Sequence, residues 1–561
     1  MNINANSRFS LAPSVNIPRT RMNRPFNNSL TFDCGELVPF YISEVIPGST
    51  HKVITHKVVR TQPLVSAPMQ DIFLDTYYFF IPFRLVWTHF REFMGENTSS
   101  AWVPQVTYTI PQVRASNAGP SGVSDLTPYK GTLWDYFGMP LPSTLNGNID
   151  MNALYFRAYA LIVREFFQSE AVETPINVPL DDTLRPLVPI AYINDEQYIC
   201  QGAKPYIVNK FHDYFTTVLP TPTKGTTDVL AFPKTPVVAL DDHTGYTTLQ
   251  KITGKQVVPA IDFGTQNSSG TQLTSQKSIN TSAASGGNVT TLGNTNSSGS
   301  FPLNLWTGLD VSIDQLRTAF AIQRLLQRDA LGGTRYREML RAHFGVISPD
   351  ASMQVPQYLG GSRKALRISQ IVQTSETDQT PLGNIAGMSL TNDSHYEFES
   401  SFTEHGIILG LMCTRYKHRY SQGVHRRYSR KTRYDFYSPE FAFLGSQAIL
   451  KKEIFADGSS SDDSVLGYGE YWSDYKFNPD MVVGEFRPNL NIGLKSWTFA
   501  DNYTTHPTLS RNWLKEDKTN LDRCLAVTSS VSNQFFANVE VQETVTLPMP
   551  LYSYPSIMSQ F

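Results

Sequence analysis

The residues best suited to chemistry lie in one short basic segment, 415–433. It contains eight cationic side chains and no acidic one: Arg415, Lys417, Arg419, Arg426, Arg427, Arg430, Lys431 and Arg433. Tyrosines and histidines are interleaved with these cations. Cations that neutralise phosphates, beside rings that stack on bases, are what sequence-tolerant binding of single-stranded nucleic acid requires. Arg and Tyr are also typical of protein interfaces, so pairing with acidic groups of a neighbouring subunit is an equal alternative.

The first part of that segment has a strand-like alternation. If residues 414–420 form a strand, the cations lie on one face and the aromatic rings on the other. The first set is Arg415, Lys417 and Arg419, and the second is Tyr416, His418 and Tyr420.

A second basic region, residues 1–32, has no acidic residue. Its cations are Arg8, Arg19, Arg21 and Arg24. Asn, Ser and Pro fill much of the rest, which favours an extended, weakly structured arm. Two interpretations are about equally supported: a flexible terminus without a function, and an arm that binds nucleic acid or another subunit.

Enzyme motifs and metal sites are not found in the sequence. It has no phosphate-binding Gly-Lys-Ser/Thr loop, no nucleophile elbow and no zinc helix of the HExxH type. Asp457, Asp462 and Asp463 could hold a hard cation, but their spacing differs from a calcium loop and favours a solvated turn. We therefore predict no catalytic residue, no metal and no cofactor.

Three segments have clear strand patterns. Residues 51–60 are β-branched, and residues 71–83 pack five consecutive apolar residues before Pro82, as in a fully buried strand. From Ala537 to Leu547, apolar and polar residues alternate with a break at Glu543, which predicts a half-buried strand.

Helix patterns are fewer. Asp150 is placed to cap a helix with apolar residues at helical spacing from Leu154 to Phe166. A capping-box pair, Ser312 and Gln315, precedes a second helix that Gly332 and Gly333 should end. A third, from Thr334 to His343, should stop at Gly345.

Residues 264–300 form the most unusual tract. Thirty of these thirty-seven residues are Ser, Thr, Gly, Asn or Gln, and Lys277 is the only charge. Alone, such a composition buries too little apolar surface to offset the entropy of ordering it. It is either a disordered linker between two domains or a display loop that orders only against copies of itself.

Composition narrows the class of protein. The 561 residues have a net charge of −2, which excludes a nucleic-acid binder that acts by bulk charge. Four widely spaced cysteines argue against a disulfide scaffold and for assembly in a reducing cytoplasm. With no apolar signal core and no bilayer-length apolar run, we expect no membrane insertion. Strands separated by very long connections favour a β-sandwich with loop insertions.

Several long stretches, in the same order along the chain, resemble the major capsid protein of gokushoviruses. These are tailless icosahedral single-stranded-DNA phages of the Microviridae. The stretches are DTYYFFIPFRLVW (75–87), KFHDYFTTVLPTPTKG (210–225), GGTRYREMLRAHFGV (332–346), SPDASMQVPQYLGG (348–361), SFTEHGIILGL (401–411), TRYDFYSPEFAFLGSQAILKKEI (432–454) and MPLYSYPSI (549–557). The likeness covers nearly the whole chain outside 226–305.

The resemblance implies an eight-stranded antiparallel jelly roll and a T=1 shell of on the order of sixty copies around circular single-stranded DNA. The domains would be a basic arm (1–32), the first part of the jelly-roll body with a helical insertion (33–225), a polar insertion (226–305) and the rest of the body (306–561). The insertion would form a protrusion at each three-fold axis and meet a host receptor.

The resemblance also implies partners. They are identical copies with pentamers as intermediates, an internal scaffolding protein, a pilot protein and a small basic DNA-binding protein. The last is needed because a subunit of net charge −2 cannot offset many phosphates. Assembly would take place in the host cytoplasm.

Within this interpretation, charge reversal at Arg426 and Arg427 should lower the packaged DNA if the basic segment contacts the genome. The alternatives are a non-capsid β-sandwich binding protein or adhesin, and a β-rich enzyme. An adhesin should carry a secretion signal, and an enzyme needs a convergent polar constellation in one pocket.

Overall fold

The computed structural model describes most of the chain outside the polar insertion. The described stretches are 17–97, 108–115, 129–141, 146–188, 196–225, 313–374, 382–383, 385–490 and 493–552, with five short strands between 234 and 309. Two compact units are distinguished: Met1–Pro222 with Gly332–Phe561, and Thr223–Leu331.

Two four-stranded antiparallel sheets form the body of the larger unit. Their strands, in chain order, are β1 (Thr20–Phe32), β2 (Val38–Val45), β3 (Thr50–Thr61), β4 (Ile72–Pro82), β5 (Gln357–Ala365), β6 (Thr391–Ser401), β7 (Gly406–Tyr416) and β8 (Phe535–Leu547). The first sheet has the order β1-β8-β3-β6, and the second has the order β5-β4-β7-β2. The chain is thus mainly β with antiparallel sheets, consistent with the predicted β-sandwich.

The three strands predicted from sequence patterns are confirmed as β3, β4 and β8. Every second residue of β8 is buried, as expected of a strand with one wet face. Glu543 does not interrupt this strand. Its side chain lies on the buried face, where Arg24 and His51 each approach its carboxylate to 2.6 Å.

The central strands of the second sheet, β4 and β7, are buried on both faces, which explains why they are rich in apolar residues. In β7, Ile408 and Met412 pack into the core shared with the first sheet. Ile407, Leu409 and Leu411 point the other way, into a second core built with the chain's helical insertion. The sheet therefore separates two hydrophobic cores.

The strand β1 differs from the weakly structured arm expected over residues 1–32. Residues 20–32 pair with β8 along its whole length, from Thr20 opposite Leu547 to Phe32 opposite Phe535. Leu30 and Phe32 are buried and anchor the C-terminal end of β1. In the sequence, these two apolar residues stand among Asn and Pro, so no strand pattern is visible there. Arg8 lies outside the described residues.

Helical segments come mostly from the connections. The longest are α1 (Leu154–Ile162), α2 (Ile313–Gly332) and α3 (Tyr336–Phe344). Helix α1 is confirmed, but Asp150 does not cap it. Asp150 lies in a short strand and pairs with Arg114, while the Asn152 side chain accepts the hydrogen bond from the Leu154 amide.

The other two predicted helices are also present. Helix α3 ends at Gly345, whose φ of 69° is the left-handed conformation that terminates many helices. Helix α2 ends at Gly332, and Gly333 follows with a φ of 99°. Ser312, the predicted cap of α2, lies outside the described residues.

Shorter elements complete the larger unit. The remaining strands are Gln112–Ala115, Ile149–Asn152, Arg185–Pro186, Ile368–Val372, Ile385–Ser389, Ser446–Leu450 and Val465–Glu470. Short helical segments of three to six residues are Phe83–Leu85, Phe90–Phe93, Leu133–Tyr136, Val163–Phe167, Glu196–Gln201, Arg426–Tyr428, Arg433–Asp435, Pro439–Phe441, Lys451–Glu453, Ser460–Asp463, Ser473–Lys476, Gly484–Phe486, Lys495–Trp497, Arg511–Leu514 and Thr519–Asp522.

The smaller unit contains α2 and short strands. Asn304–Leu309, Lys234–Ala239 and Gln250–Lys251 form a three-stranded sheet, and Thr265–Gln266 pairs with Gln272–Leu273. Most of the polar tract 264–300 lies outside the described residues.

Lys57 is one of two lysines buried among the described residues of the larger unit. The Lys57 side chain, on β3, is 1% exposed and lies 3.4 Å from the Asp393 carboxylate and 3.6 Å from that of Glu397. It also donates hydrogen bonds to Thr76 and Ser362. The cluster ties strands of the first sheet, β3 and β6, to strands of the second, β4 and β5.

Candidate functional site

The basic segment 415–433 begins in the sheet and then leaves it. Strand β7 ends at Tyr416, so the prediction of one strand over 414–420 is wrong beyond that residue. The reason is that its neighbour β4 begins at Ile72, opposite Tyr416, and offers no further residue for pairing. The predicted alternation of sides nevertheless continues, since the aromatic side chains through Tyr420 are buried and Lys417 is exposed.

Arg415 is held inside the chain by an acidic partner. Its guanidinium pairs with Asp75 on β4, which also accepts a hydrogen bond of 2.6 Å from Arg363. Burial would raise the pKa of Asp75, but the hydrogen bond from Arg363 and the charge of Arg415 lower it below its usual value. Phe211 stacks on both guanidinium groups. Arg415 therefore serves the packing of this chain.

Two more cations of the segment are paired internally. Arg426 lies 2.9 Å from the Glu453 carboxylate and donates to the Ala448 carbonyl. Arg430 pairs with Asp474, and its guanidinium stacks on Tyr475. Both carboxylates are buried, so these pairs hold the loop 425–444 against the hairpin that follows it.

The other five cations of the segment have no ion pair with any described residue. They are Lys417, Arg419, Arg427, Lys431 and Arg433. All except Arg419 are exposed, and Arg419 is half-buried. Arg427 donates a hydrogen bond of 2.9 Å to the Asn478 side chain, which leaves its charge unneutralised. The structure thus separates three cations that form intramolecular ion pairs from five that form none with the described residues.

The arginines near the N-terminus also divide into one with an intramolecular ion pair and others that are exposed. Arg24 pairs with Glu543 and donates to the Ser43 hydroxyl, so it bridges β1, β8 and β2. Arg19 and Arg21 are exposed. Arg8 cannot be placed, as it precedes the described residues.

His418 occupies a buried polar cluster that the sequence did not reveal. Its two ring nitrogens lie 2.7 Å from Asp501 and 2.9 Å from Glu516. Burial would lower the pKa of His418, but these two carboxylates raise it to about 9. Lys210 approaches Asp501 to 3.2 Å and adds a second positive charge. The cluster joins loops that are distant in the sequence.

The acidic turn at 457–463 forms local contacts. The Asp462 carboxylate accepts a hydrogen bond from the Gly458 amide and lies 2.8 Å from His506. Asp463 pairs instead with Lys452 at 2.6 Å. Asp457, Asp462 and His506 offer ligand atoms within 4.8 Å of one another, but the turn's own hydrogen bonds account for this arrangement.

The sequence did not reveal the acidic residues that pair with cations of the basic segment. Asp75 precedes Arg415 by 340 positions, and Glu453 and Asp474 follow in other loops. Nothing local marks them, because sequence spacing identifies partners only within one helix or hairpin. A weak signal was available in Asp75, a carboxylate within a run of apolar strand residues.

Two general properties bear on the class of protein. The four cysteines are buried and free of disulfides. Among the described helices, none combines the length and the apolarity needed to cross a bilayer.

The chain is similar to known capsid proteins over almost its full length. The family model described as capsid protein (F protein) matches residues 10–557. Capsid protein VP1 of Spiroplasma virus 4 is 34% identical over 98% of this chain and 97% of its own length. Capsid protein VP1 of Bdellovibrio phage phiMH2K is 33% identical over 99% and 98%, and that of Chlamydia phage 1 is 31% identical over 98% of each.

These relatives are structural proteins of virions, and none is an enzyme or an adhesin by name. Both the family match and the identities extend across the sandwich and the basic segment described above. The chain therefore belongs to the capsid protein (F protein) family, as its resemblance to gokushovirus major capsid proteins predicted.

Proposed function

We propose that this chain is the subunit of a T=1 icosahedral shell that encloses circular single-stranded DNA. The observation that carries the proposal is the amount of apolar surface left uncovered on the lone chain. Phe443 is 98% exposed, and Tyr428, Phe344 and Ile347 are each more than 70% exposed. Monomeric proteins rarely expose so many large apolar side chains, whereas subunits that bury them against copies do.

The fold of the subunit is an eight-stranded jelly roll. Support comes from the strand order, in which each sheet alternates strands from distant parts of the chain. The last strand, β8, inserts between β1 and β3, while β7 inserts between β2 and β4. A jelly roll pairs its strands in this interleaved way, and its loops emerge at the ends of the sandwich. Long insertions such as 83–356 then leave both sheets intact.

The cations without an ion pair among the described residues are the proposed contacts to DNA or to a neighbouring subunit. They are Arg19, Arg21, Lys417, Arg419, Arg427, Lys431 and Arg433, with Arg8 as a further candidate. Arg24, Arg415, Arg426 and Arg430 are weaker candidates, since their charges are already balanced by buried carboxylates. Charge reversal at Arg426 would therefore disturb the loop itself and is a poor test of DNA contact.

A sharper test replaces exposed cations only. The triple variant Arg427→Gln, Lys431→Gln, Arg433→Gln should form normal shells that contain less DNA, because three phosphate contacts per subunit are lost. The DNA content follows from the ratio of absorbance at 260 and 280 nm of purified particles. Normal DNA content in intact shells would instead assign these cations to an interface between subunits.

The polar insertion, 226–305, is proposed to form a surface protrusion at each three-fold axis and to meet the host. Its composition supports this, since a tract of Ser, Thr, Gly and Asn suits an exposed surface and lacks the apolar content of a core. Three copies at one axis would order a segment that one copy cannot. Deletion of 264–300 should leave shells intact and abolish attachment to the host cell.

Assembly is proposed to take place in the host cytoplasm through pentamers, with an internal scaffolding protein, a pilot protein and a small basic DNA-binding protein as partners. The net charge of −2 supports the last of these, as the subunit alone supplies too few positive charges for the genome. Co-expression with the scaffolding protein should give uniform small shells with three-fold knobs in negative-stain images. Stable monomers under all assembly conditions would contradict the proposal.

A further inference from the structure

A short hairpin of the larger unit has one strand with an open edge. Ile368–Val372, called the outer strand below, pairs only with Ile385–Ser389, the inner strand, among the described residues. The inner strand is joined to the body, because Leu64 and Gly387 exchange two backbone hydrogen bonds of 3.1 and 3.3 Å. The outer strand has no such neighbour on its far side. A ribbon of two strands is marginally stable by itself in water, so a further strand beside it would stabilise it.

The contact at Gly387 determines which backbone groups of the outer strand are free. In an antiparallel pair, the N–H and C=O of one residue point to the same side, and successive residues alternate. Gly387 uses both groups for Leu64, so it makes no backbone hydrogen bond to Gln370, which lies opposite it. The N–H and C=O of Gln370 therefore point to the open edge. The same holds for Ile368 and Val372, and none of these groups is hydrogen-bonded to another described residue.

The outer strand also lacks the features that usually prevent edge strands from pairing. Prolines and charged side chains serve this purpose in many β proteins. The four edge strands of the two main sheets all carry them: Arg21, Arg24 and Pro25 in β1, Pro39 and Glu44 in β2, Arg363 and Lys364 in β5, and Asp393, Glu397 and Glu399 in β6. The outer strand, ISQIV, has neither a proline nor a charge. Its edge is therefore suited to pairing with another strand.

The sequence of the outer strand is complementary to itself. With Gln370 at the centre, an antiparallel copy places one Gln370 amide beside the other and Ile368 beside Val372 of the second copy. Amide groups can hydrogen-bond to each other, and the two apolar side chains pack together. No charge meets its own copy. Val372 is exposed on the lone chain, so this packing would cover apolar surface.

We propose that the outer strand pairs antiparallel with the outer strand of a second copy of this chain, across a two-fold axis at Gln370. The open backbone groups of Ile368, Gln370 and Val372 then form about six hydrogen bonds between the copies. The two hairpins become one four-stranded sheet. The inference rests on the proposed function, because a closed icosahedral shell supplies the two-fold axes.

The test uses cysteines that meet only in this register. Ser369 lies opposite Ile371 of the second copy in a non-hydrogen-bonded pair, with Cα atoms about 4.5 Å apart, a separation that a disulfide spans. Two copies of Ser369, or two copies of Ile371, are diagonal neighbours at roughly 7–8 Å, which is beyond the usual range of a disulfide. The four native cysteines are buried and add little background.

We therefore expect Ser369→Cys and Ile371→Cys to form disulfide-linked dimers when the two variants are co-expressed. The linked share should approach about half of the chains, the statistical frequency of mixed pairs at a two-fold axis. Either variant alone should give at least about tenfold less, because its cysteines are too far apart. Non-reducing gels of purified, oxidised shells measure the linked dimers.

Charges placed on the axis give an independent measurement. Gln370→Lys and Gln370→Glu each set two like charges opposite one another, which should weaken the contact by up to about fivefold. Each variant alone should give fewer shells than the wild type, and co-expression of both should restore the yield. Gln370 is exposed on the lone subunit, so urea unfolding of the isolated variants should be unchanged.

The outcomes distinguish this inference from the proposed function. Equal cross-linking in the mixture and in either cysteine variant alone, or no cross-linking in normal shells, overturns the strand pairing and leaves the proposed function intact. Wild-type shell yield from Gln370→Lys and from Gln370→Glu also overturns it. Failure of the wild-type chain to form any shell contradicts the proposed function. The same oxidation of the concentrated soluble chains then decides the pairing: dimers linked only in the mixture support it, and their absence overturns it.

Discussion

At the scale of single residues, buried charges distinguish this subunit from an ordinary sandwich. His418, Lys57 and Glu543 are buried, and each has partners of opposite charge or potential charge. Such clusters contribute little net stability when complete, but they become costly when one member is removed. They therefore fix which loops and strands meet.

The stability of the lone subunit should depend on the protonation of His418. Its pKa is raised from the usual 6.5 to about 9, so the folded chain retains a proton that the unfolded chain releases. The resulting stabilisation is complete below pH 6.5 and is lost as the pH rises towards 9, on the order of 3 kcal/mol in total. Urea unfolding at several pH values measures it. His418→Gln should flatten the curve, and a flat wild-type curve would contradict the assignment.

Removal of the Lys57 side chain should destabilise the sandwich strongly. Lys57→Met leaves the buried Glu397 carboxylate without its lysine, while Asp393 retains Lys364 at 3.3 Å, and we expect a loss of about 3–5 kcal/mol in the free energy of unfolding. Lys52→Met on the same strand is the matched control. Its pair with Glu399 is exposed and 3.8 Å long, so its loss should cost less than about 1 kcal/mol. Similar values for both variants would show that burial is not the cause.

At the scale of elements, glycines set how closely the strands of the second sheet approach. A Cβ atom on Gly361 of β5 would lie 2.1 Å from the Thr76 carbonyl oxygen of β4. This contact is with backbone, so it cannot be relieved by rotating a side chain. The β5–β4 pairing, with its bulge between Tyr358 and Gly360, therefore requires glycine here.

We accordingly expect Gly361→Ala to lower the free energy of unfolding by about 2 kcal/mol or more, because β5 must move off β4. Gly147→Ala provides the control, since nothing lies within 4 Å of its added Cβ and its φ is unremarkable. Thermal unfolding of the two variants under one condition is a sufficient measurement. If Gly361→Ala unfolds at the same temperature as the wild type, the strands β5 and β4 approach each other less closely than described.

The elements also show what a sequence can and cannot predict. Strands β3, β4 and β8 follow from local alternation or apolar runs, α1 and α2 follow from helical spacing, and α3 follows from the glycines that bound it. The position of β1 was not predictable, as its partner β8 lies more than 500 residues away and its own residues are polar. A separation of 340 residues likewise hides Asp75 from Arg415. Local patterns thus predicted element types, while long-range pairing decided which cations of 415–433 remain free.

At the scale of the whole molecule, the lone chain is incomplete because its loops expose large aromatic side chains. Phe443 protrudes fully from the loop that also carries Tyr434 and Phe436. A burial of this kind against a neighbour would contribute more to assembly than any exposed salt bridge of the subunit.

Phe443→Glu should therefore prevent or greatly slow shell formation without changing the unfolding of the isolated subunit. The variant loses the apolar contact and places a charge where a dry interface forms, at a cost of several kcal/mol per contact. Sedimentation velocity gives the extent of assembly, and urea unfolding gives the stability. Normal shells would show that this loop faces solvent in the particle.

The pairing of β1 with β8 also determines the point during synthesis at which the first sheet can be completed. Within the described part of the chain, β1 pairs in its sheet with β8 alone, and β8 separates it from β3. At usual elongation rates, the ribosome needs roughly half a minute to two minutes to reach residue 547. Until then the first sheet lacks its inner strand β8. The edges of β1 and β3 that pair with β8 therefore remain unpaired. No nascent chain can therefore complete the first sheet, or join a growing particle as a finished subunit, before residue 547 has been synthesised.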